Sequence, residues 1–505
     1  MKSSKVLIIA ILSAVLTAGC ARTPPAPRQP TVSPEPKVTL GATLEPANLD
    51  LTASSQAAIP EVLLYNVLEG LVRIDNEGEI QPLLASSYDV SEDGKVYTFE
   101  LREANFHNGT PMTANDVLFT FNRHRAPEST HPFKAQFAPI ENVEAVDERT
   151  VRVTLKEFSA NWLFNMALGA GVILSEQTIG QIAENPIGTG PFKFDSWTRG
   201  DNIRLVRNQD YWGTRPPLEE VVFKYIPDPS AMNNALLAGD IDIISRATAP
   251  ELLDTLKEDP RFEVLDGLTN GEVVMAMNNT RGPLRDVRVR RAITHAIDRE
   301  GLIEAAYGGF GTLIGSHVPP SDPWYIDLTD EVPYDPEKAK ALLAEAGFAD
   351  GFELSLQLPP PSYARRSGDI IASQLGEVGI RVNIENIEFP QWLERVFRGG
   401  NFDLSIVAHV EPRDISQYGN AEYYWHYDNS EVRQLLADAD KAPDEGERND
   451  LYAQVQRKIT ADAVNVWLFL LPEITVMQKG ISGYKQNRIS FSIDMTEVVY
   501  EKEAA

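Results

Sequence analysis

From Lys37 onward, short strand-like runs alternate with amphipathic helical runs, and this alternation constrains the fold more than any other feature. Interleaved strands and helices build α/β domains rather than separate all-α or all-β layers. Val38-Thr39-Leu40 opens the series as a strand, and Val96–Leu101 and Val151–Leu155 alternate polar and apolar residues. That period of two is the pattern of a half-buried strand. Thr113 reads as an N-cap, with Asp116 three residues on and Val117, Leu118 and Phe121 on the buried face. A helix over Ser230 to Leu237 ends at Gly239 and leads into a strand at Ile241 to Ile244. Asp335 caps a further helix, which takes Pro336 in its first turn and stops at Gly347. Residues 288–306 read as one helix, with Val289, Ala292, Ile293, Ala296, Ile297 and Ile303 on a single stripe.

A chain of 505 residues exceeds what one core can serve, so two or three domains are expected. The acids number 73 against 46 bases, a formal net charge of -27. Such a surface repels phosphate backbones and anionic lipid, which argues against a nucleic-acid partner. The acids are spread along the chain and read mainly as a solubilising shell.

The one cysteine, Cys20, forbids an internal disulfide and any multi-cysteine metal cage. Lys2 and Lys5 precede an apolar run from Val6 to Ala18, which is short for a bilayer span and of the length of a signal-peptide core. It ends in Leu16-Thr17-Ala18-Gly19-Cys20, where small residues admit a peptidase and the thiol can take lipid. Residues 1–19 therefore resemble a bacterial lipoprotein signal, with Thr17 where a larger aliphatic residue is usual. Residues 20–37 hold prolines at 24, 25, 27, 30, 34 and 36 and read as a stiff tether carrying the body outside the membrane.

Enzyme motifs are missing: there is no GxxxxGK[ST], HExxH or GxSxG. Gly309 to Gly315 imitates a dinucleotide loop but follows a helix rather than a strand, so it reads as a flexible loop. His409-Val410-Glu411 matches the HxE of zinc deaminases without their cysteines. The histidines otherwise show no metal spacing, and neither a metal site, a cofactor nor a catalytic residue is expected.

Three blocks resemble the bacterial extracellular solute-binding proteins of family 5, the dipeptide- and oligopeptide-binding type. The first runs through Leu68-Glu69-Gly70-Leu71, Asp93-Gly94 and Phe106-His107-Asn108-Gly109-Thr110-Pro111 to Asp116 and Arg123. The second holds Gly188-Thr189-Gly190-Pro191-Phe192, Tyr211-Trp212 and Ala238-Gly239-Asp240. The third holds Met277-Asn278, Val289-Arg290 and Ala296-Ile297-Asp298-Arg299, and Gly400-Asn401-Phe402-Asp403 completes the set. Most of these residues read as structural: Asp93-Gly94 as a turn between strands, Gly188 and Gly190 as backbone freedom at a turn.

The resemblance implies a two-lobed α/β fold of the periplasmic-binding-protein type (class II), with an extra subdomain in lobe one. It would place lobe one at 38–75, 186–270 and 475–500, the subdomain at 76–185 and lobe two at 271–474. It implies a monomeric, non-enzymatic subunit of an ABC importer that closes on a peptide and delivers it to a permease and its ATPase. Other solutes fit the same resemblance, among them an oligosaccharide, a nickel complex or an opine, as does a lipid-anchored sensor that feeds no permease. Peptide-binding relatives carry an acid about ten residues after a Phe-Asp pair to meet the peptide ammonium. After Phe402-Asp403 the candidates are Glu411 and Asp414, with Arg413 to neutralise an acid or meet a ligand carboxylate and His409 in part of the same space. Tyr423, Trp425 and Trp392 are expected to offer rings to the solute, and Asn278 joins the ligand-binding set.

Overall fold

The computed structural model describes residues 32–34 and 36–503, so Cys20, the signal segment and nearly all of the tether lie outside the described residues. The body is built on two large sheets. The first lobe holds a seven-stranded sheet in the order Phe262–Gly267, Glu473–Gln478, Ile243–Ile244, Lys37–Ala42, Glu220–Tyr225, Asn202–Arg207, Phe192–Thr198. Lys37–Ala42 runs parallel to both of its neighbours. The second lobe holds a five-stranded sheet in the order Ile380–Asn386, Phe352–Leu358, Leu404–His409, Glu272–Met277, Asn465–Leu470. Glu272–Met277 and Asn465–Leu470 are buried at every position, because separate apolar cores cover the two faces of this sheet. A four-stranded antiparallel sheet over Ala85–Val90, Val96–Leu101, Thr150–Leu155 and Ile140–Ala145 carries its own core.

The chain passes between the two large sheets twice, at 268–271 and at 471–472. Its last segment then returns to the first lobe, where Asn270 Nδ2 donates to Ile489 O at 2.8 Å.

Local capping explains where the helices begin. Thr113 and Asp116 form the expected capping box at the start of Ala114–Arg125. Asp335 accepts from Lys338 N ahead of Pro336–Glu345. The helix closed by Gly239 starts one residue early, as Pro229–Ala238, because Asp228 accepts from Ala231 N. Residues 288–306 do not form one helix. Val287–His295 ends, and Asp298 caps a second helix, Arg299–Tyr307, by accepting from Gly301 N. The apolar stripe continues across the break, which is why periodicity alone joins the two.

Gly188 and Gly190 are needed for closeness rather than for a turn. A Cβ at Gly188 would lie 1.9 Å from Val67 O, and one at Gly190 2.5 Å from Asn66 O. Between them, Thr189 Oγ1 donates to Glu69 Oε2 at 2.8 Å. Tyr211 Oη and Trp212 Nε1 also donate to the Glu69 carboxylate, at 2.7 and 3.0 Å. Glu69 is 1% exposed, so this threefold satisfaction is what permits its burial.

His124 and His131 are buried in the core of the small sheet, with ring centroids 4.3 Å apart. Burial pushes His124 down to about 3 and His131 down to about 4. Both are therefore neutral when folded, whereas the unfolded chain takes up their protons near pH 6.5. Stability is then full above about pH 6.5 and falls as pH drops toward about 4, by up to about 1.4 kcal/mol per pH unit for each ring. Urea unfolding of wild type and His124→Leu at neutral pH and near pH 5 checks this: the variant should lose less stability on acidification, by one proton's share.

Candidate functional site

The two lobes meet around a cavity of about 370 Å³ beside the double crossing. The first lobe and returning C-terminal segment contribute Arg246, Glu473, Arg488 and Phe491; the second lobe contributes Tyr307, Tyr363 and Val410. Its charged floor is a quartet of which Glu61, Glu473 and Arg488 are buried. Arg246 Nε donates to Glu473 Oε2 at 3.0 Å, and Arg488 Nη1 lies 3.1 Å from Glu61 Oε1. Arg488 Nη2 reaches Glu473 Oε1 at 2.5 Å, and Arg246 Nη2 lies 3.8 Å from Glu61. Glu473 and Arg488 are almost wholly enclosed, whereas the Arg246 side chain is 38% exposed and fronts the cavity. On the opposite wall, Tyr363 Oη accepts from Ala408 N at 3.0 Å.

Around this cavity the lobes touch directly. Arg366 Nη2 pairs with Glu251 at 3.1 Å, and Lys257 Nζ sits 4.2 Å from the Phe310 ring. Arg413, in the left-handed region at φ 61, lays its guanidinium 3.7 Å from the Phe164 ring centroid and 4.9 Å from that of Trp324. Phe164 belongs to the core of the small sheet and Trp324 to the second lobe, so Arg413 bridges the two bodies. Its Nε lies 3.7 Å from Asp322, whose carboxyl burial pushes up to about 7 against the pull of Arg413.

The residues expected from sequence fall into distinct places. Asp414 is enclosed: its Oδ1 lies 2.8 Å from His317 Nε2 and its Oδ2 3.3 Å from His409 Nδ1. Burial lowers the His317 ring, against the pull of the Asp414 carboxylate. Burial opposes ionisation of Asp414 as well, yet the two rings hold its carboxyl well below the usual range. Trp425 and Tyr423 wrap this cluster, with Trp425 stacked 4.6 Å from Tyr418 and 5.4 Å from His409. Glu411 is exposed and follows Val410, which lines the cavity.

Asn278 and Trp392 lie away from this cavity. Asn278 stands at the far end of Glu272–Met277, where its Nδ2 donates to Gly400 O and its Oδ1 accepts from Thr280. Trp392 is 4% exposed and donates from Nε1 to Ser405 Oγ at 2.9 Å. Both hold the second lobe together rather than face the cavity. Sequence reasoning also missed His317, Arg246, Glu473 and Arg488, which lie in segments with no local motif and meet only through the tertiary fold.

Residues 79–431 match the family model for bacterial extracellular solute-binding proteins, family 5. The dipeptide-binding protein of Escherichia coli is 30% identical over 452 residues, covering 80% of this chain and 84% of that protein. Heme-binding protein A of Haemophilus influenzae is 32% identical over 421 residues, covering 75% of this chain and 76% of that one. Among solved structures, the periplasmic binding protein DppA of Helicobacter pylori, in complex with the peptide STSA, superposes with a TM-score of 0.76 at 28% identity. That match covers 92% of this chain and 98% of the other. Two lobes with a cavity between them at a double crossing are the architecture of a substrate-binding protein. The chain belongs to the family 5 extracellular solute-binding proteins, which serve ABC importers. Among the described residues, no helix is long and apolar enough to cross a membrane.

The Arg413 bridge gives a direct expectation. A desolvated cation–π contact contributes up to about 2 kcal/mol, so Arg413→Ala should shift the closed-to-open ratio by as much as about thirtyfold. X-ray scattering should report a larger mean radius of gyration for the variant than for wild type under the same conditions.

Proposed function

We propose that the solute is a short peptide, captured in the interlobe cavity and passed to a permease, by a chain tethered through lipid on Cys20. The observation that carries this reading is the cavity itself. Its volume of about 370 Å³ sits at the small end of the range for small-molecule sites, about 300–1,000 Å³. It places a partly exposed guanidinium on one wall and neutral strand and tyrosine groups on the other, which suits a small solute bearing a carboxylate. Arg246 is the carboxylate partner in this reading. Of the two acids expected to meet an ammonium group, Asp414 is engaged by His317 and His409, which leaves Glu411 beside Val410. The segments at 268–271 and 471–472 act as the hinge, and 272–470 moves as lobe two against the rest. The peptide-binding relatives support the solute class, while the named ligand of heme-binding protein A keeps a non-peptide solute as the competing outcome.

Calorimetry with alanyl-phenylalanine and its N-acetylated form tests the solute class. Arg246→Gln should weaken binding by on the order of thirtyfold or more, because a desolvated charge pair loses one partner. Glu411→Gln should cost about fivefold or less, as befits an exposed pair, and acetylation should then add nothing further. Affinity that ignores both substitutions and acetylation would remove the peptide reading. For the anchor, Cys20→Ser should move the protein from the membrane fraction to a soluble envelope or medium fraction; retention equal to wild type would rule out lipid at Cys20 as the anchor.

A further inference from the structure

We propose that His317, His409 and Asp414, with Glu272 beside them, form a binding site for one divalent transition-metal ion inside the second lobe. The first support is spacing. One donor atom from each of His317, His409 and Asp414 lies within 4.8 Å of the others. The close pairs are His317 Nε2 to Asp414 Oδ1 at 2.8 Å and His409 Nδ1 to Asp414 Oδ2 at 3.3 Å. A tetrahedral ion with bonds of about 2.0–2.1 Å sets its ligands roughly 3.3 Å apart.

The second support is direction. His317 Nε2 and Asp414 Oδ1 are near enough to bond, yet neither has an aligned hydrogen-bond partner. The His317 side chain is fully enclosed and that of Asp414 is 10% exposed, so water does not readily serve them. A simple His–Asp hydrogen bond would align the two atoms. Two ligands aimed at a shared third point give close approach without alignment, as here.

The third support is the surrounding shell. His317 Nδ1 faces Tyr418 Oη at 3.3 Å, and His409 Nε2 faces Tyr424 Oη at 3.0 Å. Each ring is thus held by its outer nitrogen and presents the inner one to Asp414, and Tyr418 is itself fixed by Asn465 Nδ2 and Trp467 Nε1, which donate to its Oη. Glu272 pairs directly with His409 across the antiparallel ladder, so the two side chains share a face of the sheet. Glu272 is 2% exposed and its Oε2 has no partner, which supplies a further carboxylate oxygen next to the cluster.

Two imidazoles with one or two carboxylates suit zinc, nickel, cobalt or copper, and not magnesium or calcium, which prefer all-oxygen sites. All four residues belong to the second lobe or its first strand, so metal binding needs neither lobe closure nor a solute. It is therefore independent of the peptide reading. The expectation of no metal site rested on spacing along the chain, and His317 and His409 lie on separate segments that only the fold brings together.

The test is equilibrium dialysis of chelator-stripped protein against Zn²⁺ alone, without solute. Wild type should retain one ion per chain, and its Tm should rise with zinc concentration. Asp414→Asn and His409→Gln should each weaken zinc binding more than tenfold, while His426→Gln, outside the cluster, should not. Because the two cluster variants alter buried groups, the wild-type protein supplies a second readout. X-ray absorption at the zinc edge should show two imidazole nitrogens with carboxylate oxygen. Failure to hold a stoichiometric ion, equal retention by both cluster variants, or an all-oxygen shell would each overturn the site and leave an internal hydrogen-bonding cluster only.

Discussion

The charged quartet of Glu61, Arg246, Glu473 and Arg488, buried but for Arg246, is the constraint from which the rest of the structure follows. Burying these charges is costly unless each finds its partners, and removing one leaves another exposed to that cost. Glu61 comes from the short helix Ala58–Leu63, Glu473 opens a strand after the second crossing, and Arg488 lies in the returning C-terminal segment. Arg246 follows the strand Ile243–Ile244. The quartet carries no net charge, so it can be enclosed, and it closes only when these distant segments are in place. Its exposed edge, Arg246, then becomes the charged wall of the interlobe cavity.

Two other buried carboxylates show how satisfaction separates a structural group from a poised one. Glu69 accepts from Thr189, Tyr211 and Trp212 and needs nothing more. Those donors account for much of the Gly188-Thr189-Gly190 and Tyr211-Trp212 pattern that marks the family. Glu272 is equally enclosed but has an unpaired oxygen. A cluster left in that condition has capacity for a cation, whereas the Glu69 knot has none.

Sequence reading succeeded where the deciding interaction is short-range. The Thr113–Asp116 box and the Asp335 cap lie within a few residues of the backbone groups they satisfy. It failed at residues 288–306, where the apolar stripe runs on but Asp298 starts a new helix. The aromatic residues near the predicted site were legible as a cluster, yet composition does not tell a cavity wall from a core. Trp392 and Asn278 turn inward to Ser405 and Gly400, while Tyr423 and Trp425 gather around His409.

The sequence by itself determined the α/β class, the family and the positions of most caps, because these depend on periodicity and on contacts a few residues apart. It also marked the segment from His409 to Asp414, where an acid, a base and a histidine fall together. Only the tertiary structure decided which of those groups are free. Asp414 is taken by a histidine from a separate loop, Arg413 reaches across to Phe164, and the guanidinium left facing the cavity is Arg246. Availability of a charged group depends on every partner that folding brings to it, and partners that distant in the chain leave no spacing to read.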